Sequence, residues 1–154
     1  MMKHTEQKLV YVDMDDVLCH FTKAQEADLK TNPDIKYPQS QYGFFQNLQP
    51  IKGGVESVKA LIASDKYDPY ILTAPSIMNP LSYTEKRVWI EKYFGIDFVE
   101  KLIICSNKGL VKGAFLIDDY LEGRGQENFE GKLIQFGSDQ FPDWVAVRKY
   151  LDLY

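Results

Sequence analysis

Residues 9–16 read Leu-Val-Tyr-Val-Asp-Met-Asp-Asp. An apolar, β-branched and aromatic run that ends abruptly in carboxylates has the pattern of a buried parallel strand. Both faces are covered along its length, and polar groups appear only where it emerges at the sheet edge. Such a strand needs similar neighbours, and the chain supplies them. Tyr70 to Thr73, Leu102 to Cys105, Ala114 to Ile117 and Leu133 to Phe136 are short apolar runs, and the fourth strand of the series runs straight into Asp118-Asp119. Asp68-Pro69 is expected to break the chain ahead of the second strand.

The segments between these runs carry helical spacing. Val17 to Lys30 is compatible with a helix, and Val55, Val58, Leu61 and Ile62 recur at the 3.6-residue period. Ser82 and Glu85 have the spacing of a capping box. They would open a helix that buries some of Val88, Trp89, Tyr93 and Phe94 and stops at Gly95. Pro142-Asp143 starts a last helix with Trp144, Val145, Val147 and Leu151. Strands alternating with helices predict an α/β domain, its parallel sheet covered on both faces. Thr31 to Gln49 breaks this rhythm. It holds Pro33, Pro38 and Gly43 among Tyr37, Tyr42, Phe44 and Phe45, and reads as an irregular insertion or small cap.

At 154 residues, 45% of them hydrophobic, the chain suits one domain with a real core. A net charge of -4, with no basic block, argues against a nucleic-acid polymer or an anionic membrane as partner. It leaves room for a small anionic substrate bound by a local cation. Cys19 and Cys105 are expected as buried thiols, and with His4 and His20 they make no zinc spacing. No run approaches the roughly 18 apolar residues of a membrane span. Residues 1–7 read as a loose polar tail without a signal-peptide core, so a cytoplasmic protein is expected.

The chemistry gathers at the strand ends. Asp13 and Asp15 close the first strand, Thr73 the second and Asp118-Asp119 the fourth; Lys108 follows the third. In an open parallel sheet these ends share one edge, where ligands bind. Several carboxylates brought together there repel one another unless a cation sits among them. Oxygen donors without His or Cys suit Mg²⁺. A cation, an ammonium and a hydroxyl donor together suit a phosphate. No glycine loop of the Walker type is present, so a carboxylate nucleophile is the economical route to phosphoryl transfer. Residues i and i+2 of a strand face the same side. Asp13 can therefore attack phosphorus while Asp15 protonates the leaving oxygen and later takes a proton from water.

These residues resemble the haloacid dehalogenase superfamily. Asp13-Met14-Asp15-Asp16-Val17-Leu18 is similar to its first motif. Leu72-Thr73, Lys108 and Ile117-Asp118-Asp119 are similar to the second, third and fourth, in the same order. Within it the chain resembles the 5′(3′)-deoxyribonucleotidases through residues 13–21 ending in Phe21, Gly43-Phe44-Phe45, Glu85 to Glu91 and Arg124-Gly125-Gln126-Glu127. The resemblance implies a three-layer, Rossmann-like hydrolase domain over residues 1–154, with a small cap inserted after the first strand at roughly 20–50. It implies a Mg²⁺-dependent phosphomonoesterase for nucleoside monophosphates that works through an aspartyl-phosphate. Asp13 would be nucleophile and metal ligand. Asp15 would be acid/base and a metal ligand through its backbone carbonyl. Asp118 and Asp119 would hold the metal directly or through water. Thr73, Lys108 and Lys86 would hold phosphate, Phe21, Phe44 and Phe45 would border the nucleoside, and a homodimer is implied.

Four departures bear on the substrate. Asp16 stands where the family has Gly, and Ser106 where it has Arg. Ala74 occupies a substrate-binding position usually filled by Ser, and the insertion is shorter than in the animal enzymes. Two alternatives therefore stay open: a phosphatase for another small phosphomonoester with a reduced cap, and a receiver-like phospho-acceptor domain. The latter also uses carboxylates, Thr and Lys, but in another order.

Overall fold

The apolar runs pair into one five-stranded sheet of order β3-β2-β1-β4-β5, and every pairing is parallel. The strands are β1 (Lys8–Val12), β2 (Tyr67–Thr73), β3 (Leu102–Ile104), β4 (Phe115–Asp118) and β5 (Lys132–Gln135). Helix α1 (Phe21–Thr31) follows β1, α2 (Gly54–Ala63) precedes β2, α3 (Ser82–Phe94) follows it, and α4 (Trp144–Tyr150) ends the chain. These features come from a computed structural model that describes residues 6–154. Of the tail expected over residues 1–7, residues 1–5 lie outside the described residues.

Strand order dictates where the site falls. The chain steps outward from β1 to β2 to β3, then returns to place β4 on the other side of β1. The direction of winding reverses between β1 and β4, which opens a crevice at their C-terminal ends. Asp13 N–H bonds the Ile117 carbonyl at 2.9 Å, locking the two strand ends together at that crevice.

One face of the sheet is covered by α-helices. Val10, Val12, Ile71, Ile117 and Ile134 pack there against Val58 and Leu61 of α2, Trp89 and Ile90 of α3, and Trp144 and Val147 of α4. The other face has a thinner cover. Tyr11, Leu72 and Leu116 meet Phe129 and Val111, which belong to loops and 3₁₀ turns rather than to long helices. Asp143 caps α4 by accepting the Ala146 N–H at 3.0 Å, and Gly95 closes α3 at φ 89°.

Several local expectations are corrected. Asp68-Pro69 does not break the chain: β2 already begins at Tyr67. Pairing with β3 starts only at Ile71, so Pro69 sits where β2 has a neighbour on one side, and its missing N–H costs no ladder bond. The first helix starts at Phe21, not near Val17. Residues 15–19 instead make a tight turn with bridges between Asp15 and Cys19 and between Cys19 and Pro50. Ser82 and Glu85 form no capping box; the helix has no side-chain cap. Cys105 is half-buried, while Cys19 is fully enclosed.

Residues 20–49 form an excursion with a closed neck. His20 N–H bonds the Gln49 carbonyl at 2.9 Å and Ile51 N–H the Leu18 carbonyl at 2.7 Å. Inside it, α1 buries no residue completely, and the chain continues through a 3₁₀ turn at Pro38–Ser40. The excursion is anchored on aromatic packing. The Phe21 and Phe45 rings stack with centroids 5.8 Å apart, and Phe44 meets both edge-on.

Candidate active site

Every candidate at a strand end lies at the C-terminal edge of the sheet. Asp13 directly follows β1 and is 6% exposed; Thr73 ends β2 and Asp118 ends β4, both fully buried. Asp118 is thus the last residue of its strand rather than a loop residue after it. Lys108 opens a 3₁₀ turn after β3, its backbone N–H held by the Arg124 carbonyl at 2.6 Å.

Two buried lysines divide the carboxylates between them. Lys108 Nζ lies 2.9 Å from Asp13 Oδ1 and 2.5 Å from Asp118 Oδ2, across the β1/β4 crevice. Burial alone would push the Lys108 ammonium down, but Asp13 and Asp118 outweigh it and its pKa sits above the ordinary value. Lys86 reaches in from α3 and is completely enclosed. Its Nζ donates to Asp15 Oδ2 at 2.8 Å, Thr73 Oγ1 at 2.7 Å and the Ala74 carbonyl at 2.6 Å. The Phe45 ring lies beneath it, with the centroid 5.1 Å away.

Asp13 Oδ1 is occupied. It takes the Met14 N–H at 2.8 Å as well as Lys108, while Oδ2 has no hydrogen-bond partner among the described residues. Burial pushes the Asp13 carboxyl up; Lys108 pulls it back, while Asp118 and Asp15 push it further, and it settles at about 6. Asp119 has no cationic partner among the described residues. Burial first, then Asp13 and Asp118, raise it to about 8. Carboxylate oxygens of Asp13, Asp118 and Asp119 lie within 4.8 Å of one another. Carboxyl groups so close cannot all ionise unless a cation joins them. The donor set is oxygen only, so the residues fit a hard divalent ion. The Asp15 side chain stands outside this cluster, turned to Lys86.

A cavity of about 340 Å³ opens above these groups. Phe21, Gln25, Gln39 and Phe45 of the excursion form one wall; Ala74 to Met78 form another, and Tyr120, Arg124 and Gln126 a third. Phe21 and Phe45 therefore border the space over Asp13, as does Ala74. Phe44 does not. It lines a separate cavity on the far side of the excursion with Ala24, Ala27 and Leu48. Lys86 and Thr73, expected to hold phosphate, do not line the cavity over Asp13: both are fully enclosed, bonded to each other at 2.7 Å.

Several cavity and supporting residues carried no clear signal in the sequence. Gln126 is 3% exposed and donates to both Asp118 oxygens at 3.3 Å, so it orients the carboxylate that Lys108 grips. Only the Arg-Gly-Gln-Glu resemblance pointed to it. Arg124 lies beside it on the cavity wall, with no ion-pair partner among the described residues. Asp16 adopts φ 59°, the left-handed conformation that explains a Gly at this place in similar sequences. A short polar side chain tolerates it, and here the carboxylate accepts the Thr22 N–H at 2.9 Å and its hydroxyl at 2.5 Å, tying the turn to α1.

The class of protein follows from the sheet. A crystal structure of a haloacid dehalogenase-like hydrolase from Xanthomonas campestris superposes with a TM-score of 0.56 over 95% of this chain and 96% of that one, at 15% identity. The fold is that of the haloacid dehalogenase-like hydrolases, and the acidic crevice lies at its switch point. Sequence comparison narrows the class. Residues 28–143 match the family described as 5′ nucleotidase, deoxy (pyrimidine), cytosolic type C, and the chain belongs to that family. It is 36% identical to a Vibrio phage KVP40 protein named "Putative 5′(3′)-deoxyribonucleotidase", over 97% of this chain and 87% of the phage protein. It is 29% identical to the 5′(3′)-deoxyribonucleotidase of Bacillus subtilis, over 84% of this chain and 85% of that protein. The human mitochondrial 5′(3′)-deoxyribonucleotidase is 39% identical over 54% of this chain and 37% of its own length. Among the described residues no helix is long and apolar enough to cross a membrane.

Proposed function

We propose that the protein hydrolyses the phosphomonoester of deoxyribonucleoside monophosphates, with Asp13 as nucleophile and Mg²⁺ as cofactor. The observation that carries this reading is the Lys108 ammonium bridging Asp13 and Asp118 across the β1/β4 crevice, 2.9 and 2.5 Å from each. It fixes Asp13 through Oδ1 and leaves Oδ2 without a hydrogen-bond partner among the described residues, at a residue that lines the cavity.

The carboxylates of Asp13, Asp118 and Asp119, with the Asp15 backbone carbonyl, would hold Mg²⁺. Bound there, the ion supplies positive charge that offsets the clustered carboxylates and the substrate phosphate. Asp13 Oδ2 attacks phosphorus in line, and the bond from phosphorus to the nucleoside oxygen breaks. Asp15 gives its proton to that oxygen, so the nucleoside leaves as an alcohol. Water then attacks the aspartyl-phosphate, Asp15 takes back a proton, and inorganic phosphate is released with Asp13 restored. Lys86 holds Asp15 and Thr73 in register for both halves. Lys108 borders the phosphate, Thr73 stands behind it as a buried acceptor for Lys86, and Arg124 is the remaining cation at the rim. Residues 20–50 act as the cap, with Phe21 and Phe45 against the nucleoside.

Family membership argues against the receiver-like alternative. The test of substrate is a panel of phosphomonoesters assayed with and without Mg²⁺. Turnover of deoxynucleoside monophosphates that disappears with chelator is expected. Activity on another small phosphate and on no nucleotide would replace this reading with the reduced-cap phosphatase. The resemblance also carries a homodimer in cytoplasm, and light scattering of the purified protein tests the subunit count.

A further inference from the structure

Glu85 is a buried carboxylate with no cationic partner among the described residues. It is 5% exposed and lies on the inward face of α3, directly before Lys86. Its oxygens accept backbone N–H groups of the excursion instead: Gly43 N–H on Oε1, and Phe45 N–H on Oε2 at 3.3 Å. Asn79, fully buried in the loop before α3, grips the same segment. Its side-chain amide donates to the Gln39 carbonyl at 3.0 Å and the Gln41 carbonyl at 3.3 Å, while its Oδ1 is fixed by the Leu81 N–H at 2.9 Å.

Burying a carboxylate is costly unless hydrogen bonds offset it. Here the charge is spent on a connection between two parts of the molecule. The held residues matter for what they line. Phe45 and Gln39 belong to the wall above Asp13, and Gln39 Oε1 is bonded in turn by Gln25 Nε2 at 2.9 Å. Successive residues of α3 therefore address the two ends of the cavity. Lys86 serves the phosphate end and Glu85 the wall that meets the leaving group.

We propose that Glu85 and Asn79 are positioning residues for the leaving-group wall, so that recognition of the nucleoside runs through them while phosphate chemistry does not. The proposal rests on the nucleotidase reading. Glu85→Gln leaves one acceptor oxygen, so the amide NH₂ would face one of the two backbone N–H groups. Asn79→Ala removes the other anchor by a different route.

Glu85→Gln and Asn79→Ala are assayed with Mg²⁺ on a deoxynucleoside monophosphate and on p-nitrophenyl phosphate, which carries no nucleoside. KM for the nucleotide is expected to rise about tenfold or more, with kcat and the p-nitrophenyl phosphate kcat/KM changed less than about threefold. Equal losses on both substrates, or no change on either, would overturn the proposal. Hydrogen exchange on the ligand-free wild-type protein covers the case in which Glu85→Gln does not fold. The Gly43 and Phe45 amides are expected to be strongly protected, and exchange as fast as in an open loop overturns the clamp. A wild type that cleaves p-nitrophenyl phosphate but no nucleotide sinks the nucleotidase reading instead, and the exchange result still decides the clamp.

Discussion

Lys86 Nζ lies 2.8 Å from Asp15 Oδ2, and the same ammonium reaches Thr73 Oγ1 and the Ala74 carbonyl. The three acceptors surround a compact, fully buried charge, and all of them belong to the ends of β1 and β2. Lys86→Met keeps the length and apolar packing of the stem but leaves Asp15 and Thr73 without their common donor. Turnover is expected to fall on the order of 10²–10³-fold. Lys86→Arg should rescue little, because a planar fork cannot replace a three-way ammonium in a closed site. Steady-state kinetics of the two variants check this; near-wild-type turnover in Lys86→Met would rule out the assigned role.

Asp13→Asn removes the carboxylate proposed as nucleophile and keeps the side chain's shape. Lys108 retains Asp118 at 2.5 Å, so the fold should persist, as read by circular dichroism. Turnover should drop by at least about 10³-fold. Asp15→Asn lacks the proposed proton donor and acceptor but leaves Asp13 intact. It should accumulate phosphate on Asp13 with substrates whose leaving group needs no proton, detectable as a mass gain on the intact protein. Full activity of Asp13→Asn would end the nucleophile assignment.

What the sequence made legible, and what it hid, divides along physical lines. The strand ends were readable because a buried strand is apolar throughout, so a carboxylate or threonine at its end stands out. Asp13, Thr73 and Asp118 all announced themselves this way. Helix α3 hid its function because its buried face carries Ser82, Glu85 and Lys86 beside Trp89 and Ile90. Charged residues on a helix ordinarily mark the wet side, so Glu85 read as a cap and Lys86 was reached only through the family resemblance. Their burial depends on partners about forty and seventy residues distant in sequence, Gly43 and Asp15, which no local period reveals. Pro69 misled for a related reason. Whether a proline breaks a strand depends on the length of the neighbouring strand, and β3 is only three residues long.

Gly125 sits between two residues that serve the site. It adopts φ 81°, Arg124 before it holds the Lys108 backbone, and Gln126 after it holds Asp118. A Cβ here would fall on Asn107 Oδ1 and come within 2.9 Å of Gly109 N. Gly125→Ala therefore combines a left-handed residue, costing about 1–2 kcal/mol, with a clash against the Lys108 turn. The expected result is a lower thermal midpoint and a loss of turnover larger than the loss of folded protein. Gly123→Ala, two residues earlier at φ 97° with nothing near its Cβ, is the control for backbone strain alone. Equal losses in the two variants would show that the contact with the Lys108 turn does not matter.

Asp13 and Asp119 are raised from the ordinary 3.8 to about 6 and about 8 in the metal-free protein. A carboxyl with a raised folded pKa binds more protons folded than unfolded, so stability falls as pH rises from about 4 through those values. This is the reverse of the usual salt-bridged carboxylate. In chelator, the thermal midpoint is therefore expected to decline between pH 5.5 and 8.5, with Asp119 accounting for the part above pH 6. The proposed Mg²⁺ would bind the ionised form, so its stabilising effect should run the other way and grow with pH over that window. Asp119→Asn should flatten the metal-free decline between pH 6 and 8 and weaken the response to Mg²⁺. Differential scanning fluorimetry across this pH series, with chelator and with Mg²⁺, reads all of these at once. A metal-free midpoint that climbs with pH, or Mg²⁺ stabilisation that is greatest at pH 5.5, would contradict the placement of the cation among Asp13, Asp118 and Asp119.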